Sequence, residues 1–259
     1  MLNQATVDKM QEMRMPVMAE TFLEQSRSPQ CAELSFEERV GLLVDAEWTH
    51  RQQRKLARRL KSARLRYRAS VEDLDYRAAR GLDRQVVLSL AGCSWIEAHQ
   101  NVILTGPTGT GKTYLACALA ERACRSGYSS YYARGPRLLH DLEIARADGS
   151  YRRLLVRLAK TQLLAIDDWL ITPLKQSERQ DLLEVIEDRS ERASTLIATQ
   201  LATDAWHAAI GDSTLADAIC DRLIHRAHRI DLKGPSLREP KAPKKRQAGA
   251  STGKQDKKD

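Results

Sequence analysis

Residues 106–113 read Gly106-Pro107-Thr108-Gly109-Thr110-Gly111-Lys112-Thr113, the spacing G-x-x-x-x-G-K-[ST]. The run before it, Asn101-Val102-Ile103-Leu104-Thr105, has the character of a short buried strand. The run after it, Tyr114-Leu115-Ala116-Cys117-Ala118-Leu119-Ala120, has the character of a helix. Strand, glycine turn and helix in that order constrain the fold more than any other feature of the chain. The glycines let successive backbone N–H groups converge on phosphate oxygens, and the helix N-terminus adds partial positive charge. The segment is therefore expected to cradle the phosphates of a nucleoside triphosphate. Lys112 would reach the β- and γ-phosphates, and the Thr113 hydroxyl would ligate Mg²⁺.

A second landmark narrows the chemistry. Leu163-Leu164-Ala165-Ile166-Asp167-Asp168 is an apolar strand that ends in two carboxylates. Such a strand is expected beside the phosphate-loop strand, with Asp167 in the magnesium shell. Asp168 stands one residue on, where a carboxylate can polarise an attacking water. Ser194-Thr195-Leu196-Ile197-Ala198-Thr199-Gln200 is another apolar strand with a polar end. Gln200, with Thr199 second, is the candidate to meet the γ-phosphate or the water from the other side.

Strands and helices alternate from residue 101 onward. Strands are expected at 101–105, 129–133, 162–167, 194–199 and 228–232. Helices are expected at 112–125, 137–147, 150–159, 177–190, 203–209 and 214–227. The alternation implies an α/β fold: a five-stranded parallel sheet covered on both faces, with ligands at the C-terminal strand ends. A helical N-terminal module is expected at 1–68, a linker at 69–100, the nucleotide-binding core at 101–240 and a disordered basic tail at 241–259. Trp95, in the linker, packs either in the core or near the adenine end of a nucleotide.

The formal charge of +8 is unevenly spread. Residues 51–68 hold nine basic and no acidic side chains: Arg51, Arg54, Lys55, Arg58, Arg59, Lys61, Arg64, Arg66 and Arg68. Ser35-Phe36-Glu37-Glu38 is a capping-box signature that starts a helix. Phe36, Val40, Leu43, Trp48, Leu56, Leu60, Ala63 and Tyr67 then recur mostly at helical spacing. Nine uncompensated charges repel one another, which favours contact with a polyanion such as duplex DNA over the plainer reading of a solvated helix face. An anionic membrane is the weaker alternative, because bulky apolar residues are few there. The chain has no apolar run of the ~20 residues that a membrane-spanning helix needs. Its first residues do not form a signal peptide either, so a cytoplasmic location is expected. Its five cysteines form no C-x-x-C pair, and neither they nor His225 and His228 complete a metal-ligand set.

The helix around Leu215–Leu223 carries Arg222, and Arg226 and Arg229 follow it at four and seven residues. An arginine there is placed to reach a neighbouring subunit's γ-phosphate and to make turnover depend on assembly. A surface ion pair is the plainer role for it. Arg238 is a candidate for a nucleotide contact within its own subunit.

Together these segments resemble the IstB-like ATPases, transposition helpers related to the DnaC helicase loader in the initiator branch of AAA+ proteins. The resemblance rests on Phe36-Glu37-Glu38-Arg39, Asp45-Ala46-Glu47-Trp48, Gly106–Thr113, Ile166-Asp167-Asp168-Trp169 and Ala198-Thr199-Gln200-Leu201. It rests above all on Gly211-Asp212-Ser213-Thr214-Leu215-Ala216-Asp217-Ala218 followed by Asp221-Arg222-Leu223. It implies an AAA+ core, ATP-dependent self-association on double-stranded DNA, and partnership with a cognate transposase in target selection. It also implies that the helices at 137–160 face DNA, with Arg146, Arg152, Arg153, Arg157 and Lys160. Together with the basic helix, this makes Arg51, Arg54, Lys55, Arg58, Arg59, Lys61, Arg146, Arg152, Arg153 and Arg157 the candidate DNA contacts. Three departures stand out. Asp168 replaces a common glutamate, Gln200 stands where asparagine is frequent, and little chain remains for a C-terminal lid, which is expected to be reduced or absent. A helicase loader and a DNA-binding protein that holds ATP without turnover are the alternative readings. A small-molecule kinase is the remoter one.

Overall fold

Pro16 opens a helix at the one position where its missing N–H costs nothing, and that helix anchors the N-terminal region. The computed structural model describes residues 2–76 and 80–237. Within them α1, Leu2–Glu12, and α2, Pro16–Arg27, are joined by a turn at Arg14, whose backbone is left-handed (φ +59°). α1 packs on α2, and α2 packs on α3, Phe36–Ala63. The capping box at its start is complete. Glu38 N–H donates to Ser35 Oγ at 3.2 Å, and Ser35 N–H donates to the Glu38 carboxylate at 2.8 Å.

The middle of α3 departs from the apolar spacing. Phe36, Val40 and Trp48 are exposed, whereas Glu47 is buried. The Glu47 carboxylate accepts the free N–H groups of Val17 and Met18 at 3.0 and 3.1 Å, so it caps α2. Arg51 completes the clip: its Nε donates to Glu47 at 2.8 Å and its Nη2 to the Arg14 carbonyl at 2.7 Å. A charged cap has displaced an apolar contact, because the orphan donors of a buried helix end must be satisfied. The apolar periodicity that runs on to Tyr67 also outlasts the helix. Arg64 is left-handed (φ +51°) and ends it. The last turns of α3 pack on α6, Lys112–Arg125, and on strand β2, Ser130–Arg134.

The sheet contains β1, Asn101–Thr105, then β2, β3, Leu163–Asp167, β4, Ser194–Ala198, and β5, Ala227–Asp231. All pairings are parallel, in the order β2-β3-β4-β1-β5. The expected number of strands and their direction hold. One neighbour relation does not: the two-carboxylate strand β3 is separated from β1 by β4. Chain order is silent on this, since each crossover is long enough to skip a strand. The consequence is that Gln200, just past β4, lies between the two landmark motifs.

Alternate residues on each central strand feed two cores. Val102, Leu104, Leu163, Ala165, Leu196 and Ala198 face α6 and the short helices α4, Arg84–Ala91, and α5, Ser94–Glu97. Ile103, Leu164, Ile166 and Ile197 face the other layer: α7, Gly135–Ala147, α8, Tyr151–Lys160, α9, Gln176–Arg189, α10, Trp206–Ile210, and α11, Ser213–Ile224. This two-sided burial explains why the strands read as continuous apolar runs. Trp95 belongs to the first core and donates its indole N–H to the Leu90 carbonyl at 2.9 Å, so it is a packing residue. Cys93, Cys117, Cys124 and Cys220 are buried, free thiols. No helix among the described residues is long and apolar enough to cross a membrane.

Glu47 yields a test of the N-terminal clip. Burial raises its carboxyl pKa, but Arg51 and the Met18 and Val17 N–H groups outweigh this and hold it below the ordinary value. A lowered folded-state pKa stabilises above the unfolded value, and that contribution is lost as pH falls through the folded one. Glu47→Ala is expected to cost about 1–3 kcal/mol at neutral pH. The difference from the parent protein should shrink below roughly pH 4. Urea unfolding of both proteins at pH 7 and at acid pH checks it. An unchanged midpoint at pH 7 would show that the clip contributes nothing.

Candidate nucleotide site

The C-terminal ends of β1, β4 and β3 open into a cavity of about 550 Å³ that is lined by Gly109, Lys112, Thr113, Asp167, Asp168 and Gln200 among others. The glycine turn at its floor is set by close approach as well as by φ. Gly106 has φ +138°, and a Cβ there would stand 2.1 Å from the Leu232 carbonyl oxygen. Gly109 has φ +86°, and its Cβ would stand 2.1 Å from Ser236 Oγ. The loop is closed internally by Thr110, whose hydroxyl donates to the Pro107 carbonyl at 2.9 Å.

Lys112 begins α6 and is mostly buried. Its ammonium donates to the carbonyls of Gly106 and Pro107 at 2.6 and 2.8 Å, folded over the turn it belongs to. Thr113 Oγ1 donates to Asp167 Oδ2 at 2.8 Å. The same oxygen accepts from Tyr132 OH at 2.7 Å. Burial pushes the Tyr132 phenol well above its ordinary pKa, and the bond to Asp167 adds to this, so it remains a donor. A hydroxyl and a carboxylate side by side beneath a phosphate cradle are hard oxygen donors of the kind Mg²⁺ takes.

Asp168 sits differently. Its backbone is left-handed (φ +54°), and its carboxylate accepts from Arg134 Nε at 2.7 Å. Gln200 Oε1 accepts from Thr108 Oγ1 at 2.7 Å, which ties the end of β4 to the glycine turn. Thr199, the second candidate at that position, also borders the cavity, but its hydroxyl is engaged elsewhere. It is buried and donates to the Trp169 carbonyl at 2.8 Å. Three residues that sequence patterns do not flag also belong to the surroundings: Tyr132, Arg134 and Arg80. The register that pairs Arg134 with Asp167 would have pointed to the second, but only with the strand order known.

Arg222 is not in its own subunit's cavity. It lies at the opposite end of the sheet, where Asn101 at the start of β1 donates to its carbonyl at 3.0 Å. Its guanidinium donates to Glu187 at 2.7 Å and to the Ala218 carbonyl at 2.9 Å, so its ion-pair partner is Glu187 rather than Asp217 or Asp221. Arg226 and Arg229 are exposed. Arg238 lies outside the described residues. The segment leading to it reaches the glycine turn: Leu237 N–H donates to the Gly109 carbonyl at 2.9 Å.

The basic side chains divide into two groups. Arg51 is held in the α2 clip. Arg146 is bound to Asp181 and packed 3.8 Å from the centre of the Tyr151 ring. These two have internal partners that account for them. Arg54, Lys55, Arg58, Lys61, Arg152, Arg153 and Arg157 are exposed, and Arg59 is half-buried. Edge strand β2 brings the two tracts together. Arg64, at the end of α3, and Arg157, on α8, lie 5.8 and 5.3 Å from the centre of the same ring, that of Tyr131. No cluster of three His, Cys, Asp or Glu side chains fit to hold a metal exists among the described residues.

Comparison with known proteins bears on the fold and on the family. The helicase loader DnaC matches with a TM-score of 0.54 at 16% identity, over 64% of this chain and 98% of that one. A DnaI structure matches with a TM-score of 0.54 at 20% identity, over 64% of this chain and 92% of that one. These likenesses show that the chain shares the fold of those proteins. Among sequences, a Sinorhizobium fredii protein named as an insertion-sequence ATP-binding protein, y4pL, is 50% identical over 92% of this chain and 97% of its own length. The IS1162 protein of Pseudomonas fluorescens, similarly named, is 46% identical over 78% of this chain and 87% of its own. The sequence model for the IstB-like ATP binding proteins matches residues 8–247, and the chain belongs to that family.

Proposed function

We propose that the protein is a DNA-dependent ATPase that assembles with ATP on duplex DNA and serves the transposase of its insertion sequence. The observation that carries the catalytic part is the convergence of Lys112, Thr113, Asp167, Asp168 and Gln200 on one cavity from three separate strands. Thr113 Oγ1 and Asp167 would hold Mg²⁺, which when bound neutralises charge between the β- and γ-phosphates. Lys112 leaves its two loop carbonyls for phosphate oxygens. Gln200 orients the γ-phosphate or the attacking water. Asp168 accepts that water's proton, and Arg134, which holds its Oδ2, restrains it. Arg222, remote from its own cavity, acts on a neighbouring subunit, and a cis contact is assigned to Arg238.

The DNA part rests on the joining of two basic tracts at Tyr131. Two guanidiniums over one ring are most favourable when an anion lies against them, and a phosphate backbone supplies it. The names of the related proteins place them in insertion sequences, which favours transposition over helicase loading.

Lys112→Ala is expected to abolish ATP-dependent assembly on DNA, read by sedimentation with and without ATP. Normal assembly of this variant would sink the mechanism. Asp168→Asn should assemble yet release phosphate about 100-fold more slowly. Arg134→Ala should have the opposite effect and raise release without DNA several-fold. If Arg134→Ala leaves that rate unchanged, the ion pair does not restrain Asp168. Arg58→Ala with Arg153→Ala should reduce the slope of log affinity against log salt by about 0.9 for each DNA phosphate left without its cation. An unchanged slope would remove both residues from the DNA surface.

A further inference from the structure

Arg80 is 6% exposed, and its Nε has no hydrogen-bond partner among the described residues. Its Nη2 donates to the Asp75 carbonyl at 2.8 Å, and among the described residues it forms no ion pair. A buried cation without a carboxylate is costly unless something anionic completes it. The surroundings show where that anion belongs. Arg80 lines the same cavity as Lys112 and Asp167. A Cβ built on Gly111 would stand 2.9 Å from Arg80 Nη1, so the guanidinium tip lies against the last glycine before Lys112. The residue is also held in place from behind. Its carbonyl accepts from Lys233 N–H at 2.8 Å, and Gly81, with φ +72°, passes the Asp231 carbonyl so closely that a Cβ would stand 3.0 Å from it. The segment before β1 is thus pinned to the end of β5 with its arginine pointing at the phosphate cradle.

We infer that Arg80 is a nucleotide-binding residue, a second cation that contacts the phosphate chain of the bound nucleotide at the Gly111 end of the loop. This rests on the reading of the cavity as an ATP site. The backbone N–H groups of such a loop cradle the α- and β-phosphates, which ADP and ATP share. Arg80 therefore strengthens both nucleotides alike, whereas removal of a group that touches only the γ-phosphate would weaken ATP alone.

Isothermal titration of the full chain with ATP, ADP and adenosine, in magnesium buffer, separates the cases. Arg80→Ala is expected to weaken ATP and ADP by the same factor, about 10- to 100-fold, and to leave adenosine unchanged. Arg80→Lys keeps the charge but has neither the planar fork nor the Asp75 bond, and should fall between them. If Arg80→Ala does not fold, Arg80→Lys carries the test through an equal loss for ATP and ADP of at least threefold. ADP affinity within twofold of the parent in a folded variant would overturn the assignment and leave Arg80 a purely structural group. If the parent chain itself binds neither nucleotide, the cavity reading fails first, and the Arg80 contact falls with it.

Discussion

A threonine hydroxyl and an aspartate carboxylate meet at 2.8 Å although the strands that lead to them are not neighbours. Everything else in the cavity is arranged around that contact. It requires the first turn of α6 to be carried from the end of β1 across to the end of β3, and the glycine turn provides the displacement. The turn in turn requires that no side chain stand at Gly106, because the Leu232 carbonyl occupies that space. Tyr132 fixes that same carboxylate oxygen by donating to it from β2. The pair is thus determined by four strands at once: β1 through the turn, β3 through Asp167, β2 through the phenol, and β5 through the residue that follows it.

Strand β2 has an unusual share of this work for an edge strand. Tyr131 carries the two arginines that join the basic helix to α8. Tyr132 reaches Asp167, and Arg134 holds Asp168. Alternation of side chains along a strand sends neighbouring residues to opposite faces. The charged outer surface and the carboxylate pair are therefore linked through five consecutive residues. A shift of β2 relative to β3 would be felt at both places.

Much of this was legible in order along the chain. The α6 boundaries, the Ser35 capping box and the parallel class of the sheet follow from local rules: glycine spacing, side-chain caps and apolar runs of strand length. The glycine turn between β1 and α6 and the strand that ends at Asp167 were legible for the same reason, since each is a run of contiguous residues. What failed was relational. β3 was expected beside β1, because sequence pattern carries no information on which strand a crossover skips. Phe36 and Trp48 recur at helical spacing yet are exposed, because a helical period cannot tell that a carboxylate will be recruited to cap a distant helix. Arg51 and Arg146 were grouped with free surface cations, because their partners Glu47 and Asp181 become partners only in the folded chain.

By itself the sequence determined the phosphate loop, the strand with its two acids, the alternation of elements and the excess of positive charge at residues 51–68. Each is set by residues close together in the chain, where backbone sterics and side-chain chemistry act without reference to the rest. Only the tertiary structure decided the strand order, the meeting of Thr113 with Asp167, the restraint of Asp168 by Arg134 and the burial of Arg80 against Gly111. Those contacts join residues that approach one another only when both faces of the sheet are covered, so their energies depend on packing that no local pattern encodes.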